Sequence, residues 1–278
     1  MSETGDATLR LAREKLKAAG VETPDRDARL LLRHVLGVDG AGLSTELPKR
    51  LDPKLLADFD RLIERRAKRE PMSHIVGHRE FWGRSFRVSS DVLDPRPETE
   101  CLIAEALHRG PFRKVLDLGI GSGCILLTLL AEWHLSEGTG IDCSATALKI
   151  AKQNAIRLEV SDRCVLTVSD WYSDVTGIFD LIVSNPPYIA AEEMTDLSPE
   201  VRLFEPEVAL TPGGDGLSAY AIIAERASRH LSPNGLLMVE IGPTQSHQVS
   251  AIFANAGLLV DAVIPDLDHR PRVIIAHM

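Results

Sequence analysis

Residues 115–123 read Val-Leu-Asp-Leu-Gly-Ile-Gly-Ser-Gly, and no other stretch of this chain restricts its fold as strongly. An apolar run enters a turn with glycine at every second position, and a helical segment follows from Cys124. Such a turn bends tightly and approaches a ligand closely, because no Cβ stands in the way. A nicotinamide-binding turn would place its last glycine one residue later, as G-x-G-x-x-G. Short apolar runs at 115–118, 139–142, 165–169, 181–184 and 236–241 read as strands, with amphipathic helices such as 145–158 and 219–230 between them. That alternation predicts an α/β fold with a doubly wound, mostly parallel sheet of Rossmann-like type. Runs at 258–264 and 272–277 are joined by only a short loop, which adds a C-terminal antiparallel hairpin strand and brings the sheet to seven strands.

The N-terminal part has a different rhythm. Leu9, Ala12, Leu16 and Ala19 keep helical spacing and Gly20 stops the run. Thr23-Pro24 starts a second helix with Ala28, Leu31, Leu32 and Val35 on one face, ended by Gly37. Asp52-Pro53 starts a third, carrying Leu55, Leu56, Phe59, Leu62 and Ile63. It closes in the basic run 65–69, which is either a solvated helix end, favoured by the dipole, or a patch for a partner. Residues 74–77 and 86–88 are β-like runs about a turn at Gly83. The expected organisation is a helical domain over 1–72, a β-hairpin linker over 73–95 and a larger α/β domain over 96–278.

The residues able to do chemistry stand at strand ends. Asp142 closes the second strand about twenty residues after the turn, where a carboxylate accepts from both hydroxyls of a ribose. Its alternative role is a cap for the helix after Ser144. Asp170-Trp171 ends the third strand, offering an acceptor to an adenine amino group and a ring to stack on the base; packing alone is the competing role. Asn185-Pro186-Pro187-Tyr188 follows the fourth. Two prolines stiffen the backbone and remove two N–H donors. The asparagine side chain and a proline carbonyl then present two acceptors to a planar NH2 group, as found in an amide or an exocyclic base amine. A proline turn without chemistry is the alternative.

The D-x-G-x-G-x-G spacing resembles the first motif of the S-adenosylmethionine-binding methyltransferases. The order Arg96-Pro97-Glu98-Thr99-Glu100, LDLGIGSG, Ser169-Asp170-Trp171 and Ser184-Asn185-Pro186-Pro187-Tyr188-Ile189 resembles the peptide chain release factor glutamine methyltransferases. Phe204-Glu205-Pro206, Gly213-Gly214-Asp215-Gly216-Leu217 and Glu240-Ile241-Gly242 extend that resemblance over nearly the whole chain. It implies methyl transfer from S-adenosyl-L-methionine to the side-chain amide nitrogen (N5) of the glutamine in the Gly-Gly-Gln motif of class 1 release factors, supporting translation termination. It further implies that Gly119, Ile120, Gly121, Ser122 and Gly123 cradle the methionine end of the cofactor, with Asp142 at the ribose and Asp170 and Trp171 at the adenine. Asn185 and Pro186 would accept the two amide hydrogens beside Pro187, with Tyr188 packed on the amide plane and Asn185 bordering the cofactor. The segment 96–100 would close over the cofactor from the hairpin side, or simply start a helix capped by Thr99 or Glu98. The N-terminal helices would recognise the substrate protein, through the basic run or through exposed apolar positions of the second helix. Arg84 and Asp94 stand where apolar residues are usual, and Ile120 and Ser122 replace commoner threonines.

Composition narrows the field further. With 31 basic against 40 acidic residues the net charge is -9, which weighs against a nucleic-acid partner. No apolar run approaches the ~20 residues that span a bilayer. Charges run through the N-terminus, unlike a secretory signal, so a cytoplasmic protein without membrane association is expected. Cys101, Cys124, Cys143 and Cys164 lack metal-ligand spacing and read as scattered, mostly buried thiols, with no metal expected. Two rivals remain: a nucleic-acid amino-methyltransferase acting on adenine N6 or guanine N2, which shares the tetrad, and a non-catalytic cofactor-binding module.

Overall fold

The computed structural model describes residues 4–278, which divide into two compact units. One runs to Gly77 and takes in Ser198–Phe204; the other joins His78–Leu197 to Glu205–Met278.

The first unit is helical: α1 (Gly5–Ala18), α2 (Pro24–Leu36), α3 (Gly40–Glu46), α4 (Pro53–Ala67) and α5 (Met72–Val76). Leu16, Leu31, Leu32 and Phe59 are fully buried among them and form its core. Helix α3 escapes a periodicity reading because it is seven residues long and buries one apolar side chain, Leu43. Residues 74–77, expected as a strand, lie in α5 and its cap. Pro71 precedes the helix, and Gly77 ends it in a left-handed conformation (φ 80°).

The basic run is tied down within this unit. Arg66 is buried; its Nε donates to Asp27 Oδ2 at 2.7 Å, and it donates to Glu200 at 3.0 Å. Arg69 donates to both oxygens of Glu200, at 2.6 and 2.7 Å, and Arg65 donates to Glu70 at 2.8 Å. Burial works against the Glu200 charge, but Arg69 and Arg66 outweigh it and hold the carboxyl below its ordinary value. Of the charges at 65–69, only Lys68 stays fully exposed. The apolar residues of α2 are all buried or half-buried, so neither surface expected to meet a partner stands open as read.

The second unit begins with the antiparallel hairpin β1 (His78–Phe81) and β2 (Arg84–Arg87), turned at Trp82-Gly83. Then follow α6 (Glu100–Arg109), β3 (Lys114–Leu118), α7 (Cys124–Glu132), β4 (Glu137–Asp142), α8 (Ala145–Arg157), β5 (Cys164–Val168) and β6 (Phe179–Ser184). After α9 (Pro199–Phe204), which belongs to the helical unit, come α10 (Ser218–Ala227), β7 (Leu231–Glu240), α11 (Ser246–Asn255), β8 (Leu259–Pro265) and β9 (Pro271–His277). The sheet has seven strands in the order β5-β4-β3-β6-β7-β9-β8. The first five are parallel, and β9 runs antiparallel to both β7 and β8, as the sequence predicts.

Period-two alternation sorts the core. Val115, Leu181 and Val183 face α6 and α7 on one side, while Leu116, Leu118 and Ile182 face α10 and α11 on the other. The same alternation drives Asp117 into the interior beside α7. All four cysteines are free thiols, but they are less sunken than expected: three are half-buried and Cys143 is exposed. No helix among the described residues is long and apolar enough to cross a membrane.

Candidate active site

At the carboxyl ends of β3, β4 and β6 the second unit opens a cavity of about 450 Å³. That is ordinary for a small-molecule site, and its place is the topological switch point, where neighbours β3 and β6 send the chain in opposite directions. Ser184 Oγ donates to the Leu118 carbonyl at 2.6 Å, fastening together the points from which the two key loops depart.

The loop after β3 is held by backbone. The amides of Gly119 and Ile120 donate to the Ile141 carbonyl at 2.9 and 2.8 Å. Gly119 and Gly121 take positive φ (76° and 53°), and a Cβ on either would meet nothing within 4 Å, so the loop's open side is bare backbone. Gly119, Ile120, Gly121 and Ser122 line the cavity; Gly123 instead turns against Leu127 at the start of α7. Asn154 braces the loop from behind, donating to the Ser122 carbonyl (2.8 Å) and pairing with the Arg87 backbone.

Asp142 reaches across to this loop. Its Oδ2 accepts from the Gly121 amide (2.9 Å) and its Oδ1 from the Ser144 amide (2.8 Å), leaving each oxygen further acceptor capacity. The cap of α8 is Ser144, not Asp142. Asp170 and Trp171 also line the cavity. Trp171 sits at φ 49°, a strained setting for a bulky residue; Ser169 Oγ donates to its carbonyl at 2.7 Å and holds it there.

Beyond β6, Asn185 and Pro187 line the cavity, whereas Pro186 and Tyr188, also expected at the site, are not among its lining residues. Asn185 Nδ2 donates to Thr99 Oγ1 at 3.2 Å, and Asn185 Oδ1 is buried with no hydrogen-bond partner. The Tyr188 carbonyl accepts from Gln245 Nε2 (2.8 Å), and Gln245 Oε1 in turn accepts from the Gly242 amide (2.9 Å) and Tyr220 OH (3.2 Å). A Cβ at Gly216 (φ 80°) would strike the Tyr188 carbonyl, so the tetrad is pressed from that side too.

The segment after the hairpin contributes more than a helix start. Thr99 makes no cap bond to α6; its hydroxyl donates to Glu240 Oε2 at 2.6 Å. Arg96 lines the cavity and grips both oxygens of Glu205 (2.7 and 2.6 Å). Arg84 donates to Glu132 at 2.7 Å, and buried Asp94 lies 3.7 Å from Arg79, so both unusual residues have charge partners. Burial raises three carboxyls, Asp117, Glu205 and Glu240, to about 7 each, against partners that favour the charge. Burial also pushes the Cys124 thiol at the cavity wall up to about 12. From sequence, Glu240, Gln245, Tyr220 and Asn154 carry no assigned role, and Thr99 only that of a closing segment or a helix cap. A polar residue on the buried face of α8 was a readable signal for Asn154 alone.

Family models match in two places, the PrmC N-terminal domain at residues 7–77 and the methyltransferase small domain at residues 88–218. A release factor glutamine methyltransferase from Cereibacter sphaeroides is 51% identical over 270 residues, 97% of each chain. Another, from Caulobacter vibrioides, is 43% identical over 268 residues, covering 95% of this chain and 93% of its own. The crystal structure of a methyltransferase from Pyrococcus furiosus aligns with a TM-score of 0.54 at 16% identity, over 70% of this chain and 89% of its own, a likeness of fold.

Proposed function

We propose, given that the chain belongs to the release factor glutamine methyltransferases, that it methylates the side-chain amide nitrogen (N5) of a glutamine in the Gly-Gly-Gln motif of a class 1 release factor, using S-adenosyl-L-methionine. The observation that carries this reading is Asn185 Oδ1, a buried acceptor without a partner on a side chain that lines the cavity. A buried polar atom left unpaired costs about 1–3 kcal/mol, and an incoming amide N–H removes that cost.

The cavity residues suit the cofactor, which when bound supplies an electrophilic methyl group on a sulfonium. Gly119 and Gly121 offer unobstructed backbone, Asp142 retains lone pairs for two hydroxyls, and the Trp171 ring offers a face to a base, with Asp170 beside it. An amide nitrogen is a weak nucleophile, because its lone pair is delocalised into the carbonyl. Asn185 Oδ1 and the Pro186 carbonyl would accept its two hydrogens and hold it facing the methyl that the bound cofactor would supply. Positive character grows on that nitrogen during attack, so both acceptors bind the transition state more tightly than the ground state. Tyr188 helps to exclude water. No base of tuned pKa is required, since an N-alkylated, protonated amide is acidic enough to pass its proton to water. The helical unit recognises the substrate protein, because a specific protein interface buries about 1,200–2,000 Å², more than a cleft around one glutamine supplies.

Incubation with methyl-labelled cofactor, a release factor and bulk nucleic acid in one reaction tests this. Label is expected in the protein fraction alone. Label in nucleic acid would support the adenine or guanine amine reading instead, which the net charge of -9 disfavours.

A further inference from the structure

We propose that Thr99 and Glu240 are positioning residues that decide which end of the Asn185 amide faces the substrate; the idea rests on Asn185 being the substrate acceptor. A carboxamide has nearly the same shape when turned by half a rotation about its last bond, yet it then presents NH2 where oxygen had been. Turned the wrong way, Asn185 would point its own NH2 at the glutamine NH2, donor against donor. The side chain alone has no strong means of choosing. Its surroundings do.

Proton counting makes the choice. Thr99 Oγ1 lies 2.6 Å from Glu240 Oε2 and 3.2 Å from the Asn185 amide. Thr99 and Glu240 are 2% and 1% exposed, so water does not compete for these bonds. A hydroxyl has one hydrogen, and above about pH 7, where Glu240 is ionised, the carboxylate takes it. Towards Asn185 the hydroxyl then has only lone pairs, so it selects the Nδ2 end and leaves Oδ1 as the unpartnered acceptor. Glu240 is itself anchored: Tyr188 OH donates to its other oxygen at 3.4 Å. One carboxylate thus engages Tyr188 directly and Asn185 through the Thr99 hydroxyl. Thr99 stands where a helix cap is expected, but its hydroxyl makes no cap bond. That hydroxyl serves the two side chains instead.

The test is Thr99→Val, which keeps the shape and removes the hydroxyl, made alone and together with Asn185→Ala. Groups that orient a metal ligand commonly contribute 10–100-fold, and the same scale is expected for a group that orients a substrate-binding amide. Thr99→Val is therefore expected to lower kcat about 10–100-fold while KM for the cofactor moves less than about threefold. Thr99→Ser is expected to recover kcat to within about threefold, since it restores the hydroxyl. In the Asn185→Ala background, Thr99→Val is expected to cost less than about threefold more, because there is no amide left to orient. Should Thr99→Val not be obtained folded, Thr99→Ala takes its place in the same cycle. A full loss that reappears in the Asn185→Ala background, or a failure of serine to rescue, overturns the proposal. Near wild-type activity of Asn185→Ala by itself overturns instead the reading of Asn185 on which it rests.

Discussion

The two walls of the cavity are built by different means. At the loop after β3 the surface is backbone: Gly119 and Gly121 face open space, and amide-to-carbonyl bonds with a single carboxylate, Asp142, hold the curve. At the tetrad the surface is a side chain held from behind by other side chains, with Thr99, Glu240, Tyr220 and Gln245 buried in a hydrogen-bonded layer. Bare backbone binds by shape and tolerates a ligand of fixed form. A layered side chain binds by direction, and direction is what an in-line transfer needs. Damage to the first wall should therefore appear in cofactor affinity, and damage to the second in turnover.

The largest effect is expected at the second wall. Asn185→Ala should lower kcat about 10²–10³-fold, the scale of losing one transition-state hydrogen bond. Calorimetry should find cofactor affinity changed far less. If affinity and turnover fall together, the two walls are not separable and the comparison fails.

A smaller effect is expected at the first wall. Asp142→Ala should weaken cofactor binding by about 1.5–3 kcal/mol, the range for hydrogen bonds to a charged group. Part of that loss comes through the loop, because Asp142 also accepts from the amides of Gly121 and Ser144. Turnover at saturating cofactor should stay close to that of the wild type. Unchanged affinity would reduce Asp142 to a clamp on the loop.

The smallest effect on chemistry belongs to Asp117, behind the first wall. Burial raises its carboxyl from 3.8 to about 7, so the folded protein holds a proton there that the unfolded chain has released. Its contribution to stability is complete below pH 3.8 and is lost as pH rises through about 7. Asp117→Asn stays neutral and keeps an acceptor for the Leu126 amide. Denaturant titrations from pH 5 to 8 should show the variant gaining on wild type as pH rises, by about 1 kcal/mol or more. Parallel curves would mean that Asp117 is charged in the fold throughout.

The same contrast explains what the sequence could reveal. Buried parallel strands are written as near-continuous apolar runs, so β3, β6 and β7 stood out, and the glycine spacing marked the first wall directly. Asn185-Pro186-Pro187-Tyr188 was equally visible, being contiguous. The layer behind it was not. Thr99 and Asn185 are 86 residues apart, Thr99 and Glu240 141, and only the strand order brings them together. Locally Thr99 reads as a helix cap, and Glu240 as the end of a strand. The basic run at 65–69 misled for a related reason: Asp27 and Glu200, which neutralise it, are remote in sequence. At 74–77, β-branched Ile75 and Val76 suggested a strand, but so short a run lacks any period, and the flanking Pro71 and Gly77 decided for helix.

The central claim is that the unpartnered acceptor of Asn185 receives a glutamine amide. Its most direct test is to incubate wild type and Asn185→Ala with cofactor and an intact release factor, then locate the added methyl by tandem mass spectrometry. The expected result is one methyl group on the side-chain nitrogen of the Gly-Gly-Gln glutamine, appearing about 10²–10³-fold more slowly with Asn185→Ala. A methyl group on any other residue, or equal rates from the two proteins, would contradict the account.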